Sequence, residues 1–370
     1  MRVVLFYQSL ISDWNHGNAH FLRGVATELL ARDHDVTIYE PRNSWSVENL
    51  IAEYGTQPLA EFHKEYPQLT SHRYDPDQLQ LEPVLNDAEL VIVHEWNEPE
   101  LVKRIGEYRR VKDDFLLLFH DTHHRLAGCQ SLPVDLKDYD GVLAYGQVLT
   151  DGYLRNGWTR RAWTWHEAAD VRVFHPLPEI ERPLDLVWIG NWGDDERTAE
   201  LQEFLIEPVK DLQLNAEVYG VRYPQEAIAA LTEAGIRYRG WLPNYKVPEV
   251  FARARVTLHI PRRPYVTDLP GIPTIRPFEA LACGVPLICS PWHDTEHLFT
   301  PGRDFLIAHN GDEIKQLLAR VLNEPSVARE LATNGLSTIR QRHTCAHRVD
   351  ELLAIYEQLM NETRELAAAI

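Results

Sequence analysis

Short apolar stretches alternate with amphipathic ones along the first half of the chain. Residues 2–7 are mostly apolar, residues 18–32 have the periodicity of an amphipathic helix, and residues 35–40 again resemble a strand. This succession is typical of a parallel, doubly wound sheet. Further strands are predicted at residues 90–94, 115–120 and 141–145, with a helix at 98–110. Residues 45–83 are polar and aromatic, and their pattern places no element well.

The second half repeats the alternation after a segment punctuated by Pro176, Pro178 and Pro183, which predicts a linker. Strands are predicted at residues 186–189, 215–219, 236–239, 255–260 and 285–290. The intervening helices are predicted at residues 197–209, 224–234 and 248–254, and residues 311–359 are largely helical. We therefore predict an α/β protein with two doubly wound domains, residues 1–177 and 178–350, followed by a helix at 351–370.

Composition narrows the classes of function. The 370 residues carry 37 Lys and Arg against 55 Asp and Glu, a net charge of −18. Such a charge argues against a nucleic-acid partner and against broad attachment to anionic membranes. No apolar run is long enough to cross a bilayer, and the first apolar stretch is too short for a signal peptide. The four scattered cysteines lack zinc spacing, so we expect a cytoplasmic protein.

The most informative stretch is residues 269–290, where a Gly/Pro loop leads into a short helix and then a strand. Thr274 is the predicted N-cap of that helix. Free N–H groups around Thr274, Ile275 and Arg276 would form the positive end of the helix dipole, which suits a phosphate. Glu279 lies one turn further on and offers a carboxylate to sugar hydroxyls. The stretch therefore predicts a sugar-nucleotide site.

Other polar groups follow predicted strands of the second half. The carboxyl ends of parallel strands share one edge of a sheet, so we expect these groups to lie near the same ligand. Guanidinium groups suit diphosphate because their planar fork binds two oxygens. The alternative is that the arginines pair with surface acids, and that the one tryptophan packs rather than stacks on a base. The set comprises Asn191, Arg197, Trp241, Arg262, Arg263 and Arg276.

The first half has its own cluster of candidate residues in His120-Asp121-Thr122-His123-His124. We predict that His120 faces the ligand from its strand end, whereas the other two histidines equally fit backbone hydrogen bonding in a loop. A metal site would need a further ligand group at a recognisable spacing, which the sequence does not show. His16 and Asn18 precede the first helix and are candidates for contacts with an acceptor or a phosphate.

Several motifs are missing. Neither residues 7–10 nor residues 190–193 supply the Gly-x-Gly-x-x-Gly turn of dinucleotide-binding enzymes. The chain also lacks a Walker-type phosphate loop and a Gly-x-Ser-x-Gly nucleophile elbow. These absences disfavour nicotinamide and flavin enzymes and one class of hydrolase.

The sequence Arg-Pro-Phe-Glu-Ala-Leu-Ala-Cys-Gly at residues 276–284 resembles the signature of GT-B-fold glycosyltransferases of the family-4, "glycosyl transferases group 1" type. It most resembles the CgeB-like branch, which is named for spore maturation. The similarity extends through residues 301–306 and 343–356, and upstream through 235–241 and 170–176. It thus covers essentially all of residues 166–358 and, more weakly, the N-terminal half.

This resemblance implies a glycosyltransferase of the hexosyltransferase kind, with two Rossmann-like domains facing a cleft and a last helix that returns to the first domain. The nucleotide sugar would be held mainly by the second domain, with Glu279 on the ribose hydroxyls and the backbone of Thr274 and Ile275 on the diphosphate. Arg197 would be a phosphate contact and His120 would lie near the donor sugar. The acceptor, whether a sugar, a protein or a small molecule, is not implied.

One departure from the family pattern concerns the transferred sugar. The family has a second glutamate eight positions before Glu279, and this chain has Gly271 there. Asp268 would replace it only if the loop bends differently, so retention of anomeric configuration rests on the resemblance alone. Asn191 stands where the family often has a basic residue.

Three functions therefore remain at this point. The first is a metal-independent transferase, because a helix N-terminus and arginines can stabilise the leaving diphosphate without a cation. The second is a non-catalytic sugar-nucleotide-binding or assembly protein that kept the fold. The third is a phosphorylase or epimerase on the same scaffold.

Overall fold

The computed structural model describes residues 1–123, 129, 131–178 and 181–368, with side chains to residue 365. The chain forms two compact units, of which the first comprises Met1–Glu167 and Cys345–Ile370 and the second Ala168–Thr344. Each unit contains a parallel sheet with helices around it. The expected fold class, two Rossmann-like α/β domains, is confirmed.

The described residues of the first unit form a seven-stranded sheet in the order β3-β2-β1-β4-β5-β6-β7. The strands are β1 (Arg2–Phe6), β2 (Asp35–Pro41), β3 (Ser71–Tyr74), β4 (Leu90–His94), β5 (Leu116–Asp121), β6 (Gly141–Ala144) and β7 (Ala162–Thr164). The helices are α1 (Ala19–Ala31), α2 (Trp45–Tyr54), α3 (Gln57–Glu65), α4 (Leu81–Leu85), α5 (Pro99–Lys112) and α6 (Gln147–Arg155). Strands β4 and β5 are buried throughout, which accounts for their continuous apolar runs.

The described residues of the second unit form a six-stranded sheet in the order β10-β9-β8-β11-β12-β13. The strands are β8 (Leu184–Ile189), β9 (Ala216–Tyr219), β10 (Arg237–Tyr238), β11 (Ala254–His259), β12 (Leu287–Cys289) and β13 (Leu306–Ile307). The helices are α7 (Thr198–Leu201), α8 (Glu207–Leu212), α9 (Gln225–Glu233), α10 (Val247–Ala252), α11 (Arg263–Thr267), α12 (Ile275–Ala282), α13 (Gly311–Asn323) and α14 (Pro325–Arg342). The strand order reverses between β8 and β11, where open α/β sheets bind ligands.

The predicted helix at residues 197–209 is interrupted. A 3₁₀ turn at Asp194–Glu196 precedes α7, and a π turn at Gln202–Ile206 separates α7 from α8. Pro208 lies in the first turn of α8 and has no N–H to donate to the preceding turn. The wider π turn accommodates the proline and lets the helical path continue.

The unit boundaries differ from those we predicted. The first lies after Glu167 rather than residue 177, and the second after Thr344 rather than residue 350. The reason is that Ala169 and Phe174 are both fully buried in a core cluster of the second unit. Ala169 also pairs with Thr344 through an isolated β-bridge. The proline-rich segment therefore follows a stretch of chain already anchored in the second unit.

The last helix, α15 (Cys345–Ala368), belongs to the first unit and contacts α1. Arg32 on the C-cap of α1 forms an ion pair with Asp350 at 2.5 Å and donates to the carbonyl of Ala346 at 3.0 Å. The indole Nε1 of Trp165 donates to the carbonyl of Arg348 at 2.8 Å. The beginning of α15 is thus bonded to the first unit at three points.

Candidate functional site

Arg197 ties together the loops that follow β8 and β11. Its Nε donates to the carbonyl of Trp192 at 3.2 Å, and Nη1 donates to the carbonyl of Ile260 at 2.9 Å. Nη2 donates to the carbonyl of Asn191, and the guanidinium lies 5.1 Å from the ring centroid of Trp188. Two loops at the switch point are therefore fixed by one side chain. Sequence reasoning placed Arg197 on a phosphate, whereas the structure directs these three donors to the backbone.

Burial and the nearby Arg262 lower the pKa of Arg197 to about 10, so it stays charged at neutral pH. Arg262 itself pairs with Glu196 at 2.9 Å, and Arg263 pairs with Glu200 at 3.2 Å. Both arginines therefore pair with surface acids, which was the alternative to binding a ligand phosphate. These two arginines contribute less net positive charge to a ligand than the sequence suggests.

Asn191 and Trp241 occupy loops at the same edge. The side-chain Oδ1 of Asn191 accepts a hydrogen bond from the N–H of Val221 at 2.9 Å, which joins the loops after β8 and β9. Trp241 is half-buried in the loop between β10 and a 3₁₀ turn at Asn244–Lys246. Asn191 thus has a structural role, and Trp241 lies on a loop as expected.

The structure shows how the start of α12 is capped, which the sequence predicted only in part. Thr274 is the N-cap residue, as predicted, but its side chain makes no capping hydrogen bond to the helix. Its Oγ1 instead lies 3.3 Å from Nε2 of His259, the last residue of β11, and its backbone has a φ of +53°. The first N–H groups of α12 are therefore not covered by a capping side chain, and they carry the positive end of the dipole.

His259 is a candidate site residue that the sequence analysis did not select. It is 3% exposed, and burial, with Arg197 and Arg276 nearby, lowers its pKa to about 3, so the ring is neutral. Within the described residues its Nδ1 has no hydrogen-bond partner, and neither does the indole Nε1 of Trp292, whose ring centroid lies 6.2 Å away. A buried polar atom without a partner costs about 1–3 kcal/mol. The strand-end rule that selected His120 would also have selected His259.

Glu279 is fully buried one turn inside α12. Arg276, three residues earlier on the same helix, donates from Nη1 to its Oε2 and is itself largely buried. The buried carboxylate thus has a hydrogen-bonding cationic partner on its own helix, beside the helix N-terminus. The sequence predicted separate roles for the two residues, and the structure makes them partners.

Gly271 lies just before α12 with a φ of +94°, a conformation that favours glycine. Its N–H donates to the carbonyl of His293 at 3.0 Å. A Cβ added there would lie 2.4 Å from Oγ1 of Thr295 and 3.1 Å from Oε1 of Glu296. Asp268, the acid considered as a replacement, is exposed and accepts a hydrogen bond from the hydroxyl of Thr267 at 3.0 Å.

In the first unit, His120 lies inside the core. It is 1% exposed, its ring contacts those of Phe21 and Trp165, and burial lowers its pKa to about 3. His94 lies between it and His16, with ring centroids at 5.4 and 6.2 Å. His120 is thus neutral, and its Nε2 has no hydrogen-bond partner among the described residues.

His16 and Asn18 differ in their hydrogen bonding. His16 is 5% exposed, burial and Arg23 lower its pKa to about 4, and both ring nitrogens lack partners in the described structure. Asn18 donates from Nδ2 to the hydroxyl and carbonyl of Thr122. The strand-end residues of β4 and β5 and the loop after β1 therefore do come together.

Metal binding has no visible support in the described part of the chain, where no group of three His, Cys, Asp or Glu side chains is placed to hold an ion. His123 contacts the ring of Trp96. His124, the third histidine of the sequence cluster, lies outside the described residues.

The first unit also contains a cavity of about 580 Å³. Aromatic side chains line it, among them Trp45, Tyr74, Trp96 and Phe119, and Trp45 is 45% exposed. Polar groups on its wall include Asn43 and Glu48, the latter in the first turn of α2. Apolar rings beside a few polar groups suit an organic ligand.

Residues 197–354 match the family model described as glycosyl transferase-like. The match contains the Arg276–Glu279 pair and the uncapped start of α12. The chain carries a glycosyltransferase-like domain. The enzyme class predicted from the sequence, a glycosyltransferase, is thereby confirmed. No curated protein sequence matches the chain.

Solved structures resemble this glycosyltransferase-like chain over nearly its whole length. Sucrose-phosphate synthase from Thermosynechococcus elongatus matches with a TM-score of 0.63 and 15% identity over 100% of both chains. The Anabaena protein HepE, solved with UDP and glucose, matches with a TM-score of 0.64 and 13% identity over 96% of this chain and 99% of its own. An α-glucosyltransferase solved with UDP and a 13-mer DNA containing an HMU base has a TM-score of 0.68 and 12% identity over 96% and 99%.

At these identities the likeness shows the fold alone, which is the GT-B fold with two Rossmann-like domains expected from the sequence. Among the described helices, none is long and apolar enough to span a membrane.

Proposed function

We propose that this protein transfers a sugar from a nucleoside-diphosphate sugar, bound by the second unit, to an acceptor. The observation that carries the proposal is the start of α12, where uncapped N–H groups adjoin the buried, neutral His259 and its partnerless Nδ1. A diphosphate at this position accepts hydrogen bonds from the open N–H groups of the helix N-terminus, beside the ring whose Nε2 lies 3.3 Å from Oγ1 of Thr274. The glycosyltransferase-like match over residues 197–354 supports the same conclusion.

The donor is a UDP-sugar in this proposal, because both HepE and the α-glucosyltransferase were solved with UDP. Glu279 accepts hydrogen bonds from the ribose hydroxyls, and Trp241 stacks on the base. The backbone of Thr274 and Ile275 binds the diphosphate, and Arg276 reaches both Glu279 and a phosphate oxygen. Arg197 and Asn191 position the loops around the ligand.

Breaking the bond between sugar and phosphate builds negative charge on the leaving diphosphate. The dipole of α12 and the charge of Arg276 are fixed before the reaction, so they stabilise that charge without reorganisation. We therefore propose a metal-independent reaction. Retention of anomeric configuration and membership of the CgeB-like branch are further parts of the proposal, and they rest on the sequence resemblance.

We place the acceptor in the first unit. The aromatic cavity beside β2 to β5 offers ring faces for stacking, and the neutral His120 offers Nε2 as a hydrogen-bonding atom. The ring of His16 lies 6.2 Å from that of His94 at the end of β4, and Asn18 donates to Thr122 just after β5, so both adjoin these strand ends. The net charge of −18 favours a small molecule, a sugar or a protein over DNA or RNA, and it fits a cytoplasmic protein.

The second candidate function is a sugar-nucleotide-binding protein without catalysis, favoured by the glycine at position 271. Incubation with a panel of UDP-, GDP- and dTDP-sugars distinguishes the two. Release of free nucleoside diphosphate that depends on the protein supports the transferase, and binding without release supports the second candidate.

Titration calorimetry with UDP tests the site itself. Glu279→Gln should weaken UDP binding roughly 10-fold to 100-fold, because hydrogen bonds to a charged group contribute about 1.5–3 kcal/mol. Glu233→Gln is the matched control, since Glu233 pairs with Lys210 on an exposed surface of the same unit. Unchanged UDP affinity in Glu279→Gln would rule out the ribose role.

A further inference from the structure

The aromatic cavity of the first unit has an acidic wall. Among the described residues that line it, four carry carboxylates and one carries a guanidinium. The carboxylates are those of Glu48, Asp75, Glu95 and Glu98, and the guanidinium is that of Arg42. A cavity of about 580 Å³ with this surplus of negative charge attracts cations and repels anions. Its charge therefore restricts which organic ligands bind there.

The buried polar groups of the cavity wall are already bonded within the protein. The hydroxyl of Tyr74 donates to Oδ1 of Asn97 at 3.1 Å, and Nδ2 of Asn97 donates to the carbonyl of Phe6 at 2.8 Å. Oε1 of Glu95 accepts from the N–H of Thr122 at 3.0 Å and from its hydroxyl at 3.1 Å. The buried part of the wall is therefore held in place before any ligand binds.

Three carboxylates at the rim have no such partner. Glu48 in the first turn of α2, Asp75 just after β3 and Glu98 at the N-cap of α5 are exposed. Within the described structure their side chains form no ion pair or hydrogen bond. Arg42, the one cation among the described lining residues, donates to the carbonyl of Arg73 at 3.3 Å. Because ionised carboxylates accept hydrogen bonds and donate none, a ligand at the rim must supply the donors.

The aromatic rings add a second preference for cations. The faces of Trp and Tyr rings are negative in their charge distribution and attract ammonium groups. Trp45 is 45% exposed, and Trp96 is half-buried, so part of each ring is open to a ligand. Burial raises the pKa of the Tyr74 hydroxyl above its ordinary value, and the negative charges of Glu98 and Glu40 raise it further. The electrostatic field at this wall is therefore negative.

We propose that this cavity binds a small organic molecule that carries an ammonium group, and that the sugar acceptor belongs to this class. The inference rests on the proposed position of the acceptor in the first unit and adds its charge. The ammonium donates to the rim carboxylates of Glu48, Asp75 and Glu98. The apolar part of the molecule stacks on Trp45 and Trp96. A phosphorylated or carboxylated acceptor is repelled by the same charges.

Calorimetry of the full chain with two probes of similar shape tests this charge preference. Phenethylamine is protonated at neutral pH, and phenethyl alcohol has a neutral hydroxyl in place of the ammonium. We expect the wild type to bind the amine about 10-fold more tightly than the alcohol. Glu48→Gln should reduce that preference to roughly 3-fold, because one rim charge is gone. Trp45→Leu should weaken the binding of both probes, because both lose a ring face.

Glu82→Gln is the matched control, because Glu82 also lies in the first turn of a helix and does not line the cavity. It should leave both affinities unchanged. Equal affinities of the wild type for the two probes, no binding of either, or an unchanged preference in Glu48→Gln would overturn the proposal. UDP titrations of the same samples report on the donor site separately. A chain that binds UDP without preferring the amine refutes the ammonium-bearing acceptor alone, whereas a chain that binds no nucleoside diphosphate refutes the proposed function.

Discussion

Thr274 turns its hydroxyl toward Nε2 of His259, at 3.3 Å, while its backbone holds a φ of +53°. A β-branched residue is uncommon in this conformation, which costs on the order of 1–3 kcal/mol and persists only where the surroundings enforce it. The conformation points the side chain away from the helix it precedes. The N–H groups of α12 remain open because Thr274 bonds to a strand end instead of capping the helix.

Replacing Thr274 by valine tests this relationship. Thr274→Val keeps the shape but removes the hydroxyl, so Nε2 of His259 loses this neighbour and the loop loses a restraint. We expect a loss of about 1 kcal/mol in the free energy of unfolding and weaker binding of UDP. Thr274→Ser retains the hydroxyl and should bind UDP as the wild type does. Equal behaviour of the two variants in urea unfolding and calorimetry would contradict this role.

Arg197→Lys tests whether that side chain holds the loops. A lysine offers its charge from one ammonium group, and it cannot reach the carbonyls of Asn191, Trp192 and Ile260 as the guanidinium does. We expect the free energy of unfolding to fall by roughly 2 kcal/mol or more, since unpaired buried acceptors are costly. A variant with unchanged stability but weaker UDP binding would point to the phosphate contact first predicted from the sequence.

The buried histidines predict a pH dependence of stability. The pKa values of His16 and His120 are lowered to about 4 and about 3, from an ordinary value of 6.5. Below pH 6.5 the unfolded chain gains protons that the folded chain does not, so stability falls as the pH decreases toward 4. Each histidine contributes roughly 1.4 kcal/mol per pH unit within that window and none above it.

Urea unfolding at about pH 7 and about pH 5 measures this effect in the wild type and in His120→Gln. The variant should show the smaller difference between the two conditions, because one of the titrating groups is gone. The comparison uses slopes with pH, so any constant loss of stability in the variant cancels. An identical slope would mean that His120 is accessible to protons in the folded state.

Metal independence is checked by turnover after removal of divalent ions. We expect that enzyme treated with EDTA and freed of metal keeps its turnover, because the dipole of α12 and Arg276 carry the charge stabilisation. Restoration of a lost activity by Mg²⁺ or Mn²⁺ would contradict this expectation.

Much of the fold could be predicted because each central strand is a continuous apolar run. Strands β4 and β5 are buried over their whole length, and residues 90–94 and 115–120 identified them almost to the residue. Residues 45–83 could not be placed because α2, α3 and β3 are short and only partly buried. Their positions depend on contacts that no local pattern encodes.

The site was harder to predict where the side chains in contact are far apart in the sequence. Arg262 and Glu196 are separated by 66 residues, so nothing in either segment indicates its partner. Glu279 was predicted as a site residue because the helix start and the acid are close in sequence. Its partner, Arg276, is three positions away, yet the choice between partner and phosphate ligand needs coordinates.

The β-bridge between Ala169 and Thr344 joins the first and last residues of the second unit, so its two chain ends lie next to each other. The second unit is therefore an uninterrupted segment inserted into the first, which takes Val349, Leu352 and Leu359 of α15 into its core. During translation the ribosome finishes the second unit while the first still lacks these side chains. The first unit, whose synthesis starts first, can therefore complete its core only after the second unit has been synthesised.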